Sequence, residues 1–273
     1  MAPSRQLLIS VTQSVKALGA GDGVLSVVVI ARNEADRLGR CLASVAWAAE
    51  RLVIDSGSRD GTPRIARAHG ARVVHADWPG FGAQRNRGLV LASHDWVLFL
   101  DADEWLEADG REAIEAFLVA PDADGARLPR RNRWLGRPLA HGRAYPDRQL
   151  RLVRRGRGHW SVARVHEHLQ VPGAVRDLTG HVGHEPYRDL SEHWNTVRSY
   201  SRLASDELGR EGRSATLGDV LARPPLRFVD AYLLRAGFRD GRAGLAVAGL
   251  GALYCGMKWG RRWRAQRFAS GSS

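Results

Sequence analysis

The stretch DWVLFLDADEWL, Asp95 to Leu106, ends an apolar run in three acids, Asp101, Asp103 and Glu104. Residues two apart on a strand point to the same side. Just past a strand end, Asp101 and Asp103 could share a hard divalent cation. Mg2+ or Mn2+ takes one or two carboxylates, together with water and phosphate oxygens of a substrate. The plainer reading is a solvated acidic turn, because a bare DxD is short and common. Glu104 either orients a metal-bound water or begins the next turn. The cluster stands out because the chain has a formal charge of +12.

The elements that must position these acids alternate. LSVVVIA (25–31) is a continuous valine-rich run, the pattern of a strand buried on both faces. Leu38, Cys41, Leu42 and Val45 follow at helical spacing. RLVIDS (51–56) and ARVVHAD (71–77) are further strands. Between them Thr62 is placed as N-cap, Pro63 at the first helical position and Gly70 past the end. A helix near 83–92 precedes DWVLFLD, and Asp109 with Glu112 predicts a capping box for the helix after it. The pattern implies an α/β fold, a mostly parallel sheet with helices on both faces, which binds ligands beyond the carboxyl ends of its strands. Asn33, Glu34, Asp55, Asp77, Asp101 and Asp103 fall at those ends. Asp55 can accept a hydrogen bond from a base or ribose, whereas Asp60 is read as stabilising its turn.

The second half differs. Ten arginines lie between Arg130 and Arg157. They form either a solvated loop or a wall for a phosphorylated acceptor, since guanidinium forks match phosphate oxygens. Five histidines follow at spacings that match no zinc pattern. From Ser191 a helix is expected with Trp194, Val197 and Ala204 on one face, and Pro224–Pro225 is expected to break the chain. GLAVAGLGALYCGMKW has 16 residues, short of the ~20 a spanning helix needs. Flanking arginines favour helices lying in an anionic membrane interface over core packing. The expected organisation is a loose leader at 1–23, a domain at 24–190 in two halves, 24–125 and 126–190, and a basic, helical, membrane-associating region at 191–273.

Hydrophobic residues at 44% and charged ones at 26% fit a globular chain and exclude wholesale disorder. The pI near 10.9 favours an anionic partner. Cys41 and Cys255 are far apart, which argues against a disulfide framework. The leader lacks a secretory pattern, so a cytoplasmic protein is expected.

Four ordered pieces, SVVVIARNEADRLGRCLASV, VIDSGSRDGT, QRNRG and the stretch through DADE, resemble family 2 glycosyltransferases of the GT-A (Rossmann-like) fold. Later pieces, YPDRQLRLVRRG, VHEHL, GHVGHEPY, YSRLASDE and GFRDGRAGL, are similar to the bacterial β-glucosyltransferases of the lipopolysaccharide core. The resemblance implies transfer from a nucleotide sugar, UDP-glucose, to an anionic glycolipid at the cytoplasmic face of the inner membrane. It implies that Ala31, Asn33, Glu34 and Asp55 line the nucleoside pocket. Arg85 and Asn86 would lie near the diphosphate, and Asp101 and Asp103 would hold Mg2+ or Mn2+. Ser56 stands where the family often has a second acid. An inverting transfer needs a general base. Glu167 is the candidate in the region where the resemblance places that acid, against an exposed acid balanced by Arg164, with Asp147 in reserve. His184 is either a further metal ligand or structural.

Two other classes compete. A nucleic-acid-binding protein would use the charge, but no helix-turn-helix, zinc-finger, RRM or KH signature is present, so no nucleic acid is expected. Nucleotidyl transfer on the same fold would release pyrophosphate instead of a nucleoside diphosphate.

Overall fold

The computed structural model describes residues 25–161 and 167–270. The expected leader, and His166 and Arg164 beside Glu167, lie outside the described residues.

The chain forms two compact units, Met1–Arg130 with Arg148–His184, and Arg131–Asp147 with Glu185–Ser273. The second unit thus takes in 131–147 as well as the C-terminal helices. The first unit alternates as expected: β1 (Leu25–Ala31), α1 (Leu38–Ser44), β2 (Glu50–Asp55), α2 (Thr62–Ala68), β3 (Arg72–His75), α3 (Phe81–Leu91), β4 (Trp96–Asp101). Then come β5 (Glu104–Leu106), α4 (Ala108–Val119), β6 (Gly125–Trp134), β7 (Arg137–Pro138), β8 (Asp147–Arg154), β9 (His159–Trp160), β10 (Leu169–Gln170), β11 (Val175–Asp177) and β12 (Val182–His184).

The main sheet runs β3-β2-β1-β4-β8-β6-β12-β5, with β7 and β11 on β6. β3, β2, β1 and β4 are parallel. β8 is antiparallel to β4, and β12 to β5, so the sheet is mixed beyond β4. Both faces of β1, β4 and most of β2 are buried, which is why these strands read as unbroken apolar runs, whereas β3 is partly exposed. Val27, Val29, Val53, Leu98 and Leu100 face α1 and α4, while Val28, Ile30, Ile54, Val97 and Phe99 face Leu89 of α3 and Trp160.

Two local expectations need correction. Asp109 does not form a capping box: Glu107 is the N-cap of α4 without a side-chain bond, and the Asp109 carboxylate instead meets His181 Nδ1 at 2.6 Å. Thr62 lies inside α2, whose N-cap is Gly61; its N–H donates to Asp60 Oδ1 at 2.9 Å.

The second unit holds α5 (Leu190–Arg210), α6 (Leu217–Val229), a π-helical turn (Asp230–Leu234), a 3-10 turn (Gly237–Asp240) and α7 (Gly241–Ser270). The buried face of α5 is His193, Val197, Ser201, Ser205 and Leu208, and Trp194 is exposed. Pro224 and Pro225 do not break the chain but sit inside α6. Proline removes a helix hydrogen bond; here α6 packs along α7, whose Gly256 gives Pro224 room. No described helix is long and apolar enough to cross a membrane.

Candidate active site

Strand register brings the acids together. Ala31 pairs with Asp55, Asp55 with His75, and Ile30 with Asp101. The carboxyl ends of four parallel strands therefore share one rim, where open α/β sheets bind ligands.

Asp101 is gripped from two sides. Arg85 Nη2 lies 2.5 Å from its Oδ1, and Arg151 Nη2 lies 3.0 Å from its Oδ2. Burial opposes its ionisation, but the Arg85 and Arg151 guanidiniums outweigh that and hold the carboxyl below the usual carboxylate range. Arg85 also reaches Glu167 Oε1 at 2.9 Å, so one guanidinium bridges the acid of the motif and the candidate base. Its plane is supported by Trp160, 4.5 Å from the ring centroid.

Beneath this lies a fully buried carboxylate. Glu104 Oε1 accepts from Arg151 Nη2 at 2.6 Å and from Arg130 Nη1 at 3.1 Å; its Oε2 accepts from the Asp101 N–H at 3.0 Å. Arg151 is 4% exposed. Burial would lower its pKa, but Glu104 and Asp101 raise it, so it stays charged. Glu104 thus fixes the strand end that carries Asp101 and aims Arg151 at it. Neither sequence reading of Glu104 had this role. Cys41, under the same acids, is pushed up by burial and then by Glu104, Asp103 and Asp101, which makes it an inert thiol.

Asp103 lies apart from Asp101's partners. Its Oδ2 is 3.6 Å from His184 Nε2 and 3.9 Å from Arg37 Nη1. No group of three or more His, Cys, Asp and Glu is arranged for a metal among the described residues. The pair of Asp103 and His184 offers one carboxylate oxygen and one imidazole nitrogen; the carboxylate suits Mg2+ or Mn2+ if substrate phosphates complete the shell, and the imidazole suits Mn2+ better than Mg2+. Asp101, engaged by two guanidiniums, is the less suited of the two aspartates.

At the end of β2, Asp55 is completely buried. Its Oδ2 accepts from the N–H groups of Gly57 and Ser58, both at 3.2 Å, and faces His75 Nδ1 at 3.0 Å. Its Oδ1 is buried with no hydrogen-bond partner among the described residues. Ser56 accepts from buried Gln84 at 2.9 Å. Asn33, in left-handed backbone at φ 57°, accepts from the Arg59 N–H, and its own N–H donates to Ser58 Oγ. It ties the ends of β1 and β2 together. Glu34 meets Arg37 Nε at 3.0 Å. Asn86 is committed to the Trp160 backbone in both directions, at 2.8 and 2.7 Å, so it anchors β9. Asp147 accepts from Asn132 in the second unit at 3.3 Å.

A cavity of about 410 Å3 adjoins Asp101 and Glu167; Arg85, Arg127, Arg130, Arg148 and Arg151 line it with Trp160. Two buried donors there, Arg151 Nε and Trp160 Nε1, have no acceptor among the described residues. The arginine stretch is thus partly a cavity wall. Its strand residues were hidden in the sequence, because a lone arginine in RQLRLVR gives no sign of facing inward.

The profile of Glycosyl transferase family 2 matches residues 26–163. The chain belongs to this family.

The transferase is 31% identical over 238 residues to the lipopolysaccharide core biosynthesis glycosyltransferase LpsC of Rhizobium meliloti (strain 1021), covering 84% of this chain and 88% of the relative. Among solved structures it is similar to S. aureus TarS 1-349 in complex with UDP-GlcNAc (TM-score 0.48, 14% identity, 90% of this chain and 92% of that one). It is also similar to glucosyl-3-phosphoglycerate synthase from Mycobacterium tuberculosis, solved with Mn2+, UDP and glucosyl-3-phosphoglycerate (TM-score 0.35, 27% identity, 45% of this chain and 48% of that one). The mixed sheet with flanking helices is the GT-A architecture the sequence implied.

The buried network makes a stability prediction for the transferase. Glu104→Leu removes the shorter of Arg151's two carboxylate contacts and leaves the Asp101 N–H without its acceptor, which costs about 3–5 kcal/mol in urea unfolding, the range for a broken buried pair. Glu104→Gln, which keeps the shape and an acceptor, costs less. A loss below about 1 kcal/mol for the leucine variant contradicts the assignment.

Proposed function

We propose that this glycosyltransferase moves a hexose, glucose by the resemblance, from a nucleoside-diphosphate sugar to a hydroxyl of an anionic lipopolysaccharide-core glycolipid, with inversion. The observation that carries the reading is Asp55 Oδ1, a buried acceptor without a donor on the strand-end rim. Such an atom costs about 1–3 kcal/mol unless a ligand satisfies it. The imide N–H of a uracil base is a suitable donor. Ala31 pairs with Asp55 in the sheet, and Asn33 with Glu34 completes that side of the pocket.

The acceptor side is argued from the cavity. Five arginines and two unsatisfied donors beside Glu167 suit a phosphorylated sugar, and the LpsC relative is named for lipopolysaccharide core biosynthesis. Glu167 takes the proton from the acceptor hydroxyl as its oxygen attacks the anomeric carbon and the bond to the leaving diphosphate breaks. Arg85 holds Glu167 and Asp101 in the described state. Phosphate oxygens compete for that guanidinium, so a bound donor would release Glu167 to act as base. Asp103 and His184 would hold the divalent cation. When bound it would supply positive charge against the departing diphosphate. The basic C-terminal helices would keep the enzyme peripheral, at the cytoplasmic face of the inner membrane.

Two variants test the halves separately. Asp55→Ala is expected to weaken UDP binding by roughly 5- to 150-fold in calorimetry, the equivalent of about 1–3 kcal/mol; unchanged affinity removes Asp55 from the nucleoside site. Glu167→Gln is expected to cut transfer by about 10²–10⁴-fold, with UDP affinity kept within about twofold. Near-normal transfer in that variant excludes Glu167 as base.

A further inference from the structure

The second unit holds an apolar groove that the transfer reaction does not use. It lies between α6 and α7 and measures about 680 Å3. Val220, Pro224 and Phe228 line one wall, and Gly249, Leu253 and Met257 the other. The two helices run antiparallel. A Cβ on Gly260 would lie 3.9 Å from Val220, one on Gly256 3.3 Å from Pro224, and one on Gly251 4.0 Å from Arg227. At Gly249 a Cβ would meet nothing within 4 Å, so the groove opens at that end. The α6 wall from Val220 to Val229 rises about 13 Å, close to half of a ~30 Å hydrocarbon core.

The surroundings say what belongs there. α6 buries none of its residues fully, although Leu221 and Leu226 are about two-thirds exposed and the following turn presents Leu234. An apolar helix face without a protein partner marks an interaction surface. On α7, residues 243–257 carry no charge, whereas 258–267 hold five cations and no carboxylate. Arg227 at the groove edge is half-buried; burial and then the nearby Arg143 weaken its hold on the proton. Such a guanidinium is best satisfied by an anion. A second copy of this chain would bring the same cations against themselves. An anionic bilayer complements them.

We propose that the α6–α7 groove seats one acyl chain of an anionic phospholipid of the bilayer, with the headgroup phosphate held by Arg227 at the open end, and with the cations of 258–267 attracting the anionic surface as a whole. The proposal rests on the interfacial reading of the C-terminal helices, and adds to it a chain drawn out of the bilayer into the protein.

The full chain is mixed with phosphatidylcholine vesicles containing phosphatidylglycerol that carries a diazirine near the end of one acyl chain. After irradiation the labelled peptides are mapped. Gly249→Trp is the blocking variant. It fills the open end, and replacing a helix-interior glycine costs no helix propensity; circular dichroism checks its fold. The expected result is labelling on the groove side, at Phe228, Leu253 and Met257. Gly249→Trp should cut that labelling by about fivefold or more, while flotation with the vesicles stays within about twofold. Labelling confined to Leu221, Leu226 and Leu234 and unaffected by the variant overturns the groove seat but leaves interfacial binding standing. Absence of flotation in the wild type overturns both. A lipid-free dimer that Gly249→Trp dissociates shows that a second copy fills the groove, and overturns the proposal.

Discussion

The Asp101 side of the strand-end rim depends on one buried carboxylate. Glu104 joins the Asp101 backbone to the guanidiniums of Arg151 and Arg130. Buried ion pairs often fail to repay their desolvation against apolar substitutes, so they are weak evidence for net stability. Removing one partner is costly, and that asymmetry fixes geometry. Here it holds Arg151 charged, and Arg151 with Arg85 keeps Asp101 ionised. The repulsion expected among three neighbouring acids is absorbed by protein cations, so a metal is not needed to explain the whole cluster. Only Asp103, with His184 beside it, is left in a setting that suits one.

This divides the DxD stretch by task. Asp101 belongs to an arginine bridge that reaches Glu167, and Asp103 belongs to the candidate metal pair. A single guanidinium, Arg85, stacked on Trp160 and anchored from α3, touches both the motif and the candidate base. In the proposed reaction, binding of a diphosphate and freeing of the base would be coupled through that one side chain. The basic excess of the chain then falls into place in two regions, a cavity wall in the first unit and the α6–α7 surface in the second.

The parallel half of the fold was legible because its strands are buried on both faces and therefore read as plain apolar runs. Asp55, Asp101 and Asp103 were legible for the same reason: each follows such a run at a strand's carboxyl end. What stayed hidden depends on contacts across long separations. Arg151 meets Glu104 across 47 residues, and Asn86 meets Trp160 across 74. No local pattern encodes either pairing. Asp109 looked like half of a capping box, but His181, 72 residues away, claims its carboxylate. Pro224 and Pro225 looked like a break because the local rule for proline is strong; packing along a glycine-bearing partner helix overrides it. Trp194 was grouped on one face with Val197, but Val197 is buried and Trp194 is exposed, and the small polar residues Ser201 and Ser205 complete the buried face of α5.

The central claim is that the rim and the arginine cavity together transfer a sugar from a nucleotide to a phosphorylated glycolipid. The most direct test follows the nucleotide product from UDP-glucose with Mn2+, with and without a phosphorylated lipopolysaccharide-core acceptor. The account predicts UDP release that rises with the acceptor, in step with a glucosylated lipid of inverted anomeric configuration. Release of pyrophosphate from a nucleoside triphosphate, with no UDP formed from any nucleotide sugar, would contradict it.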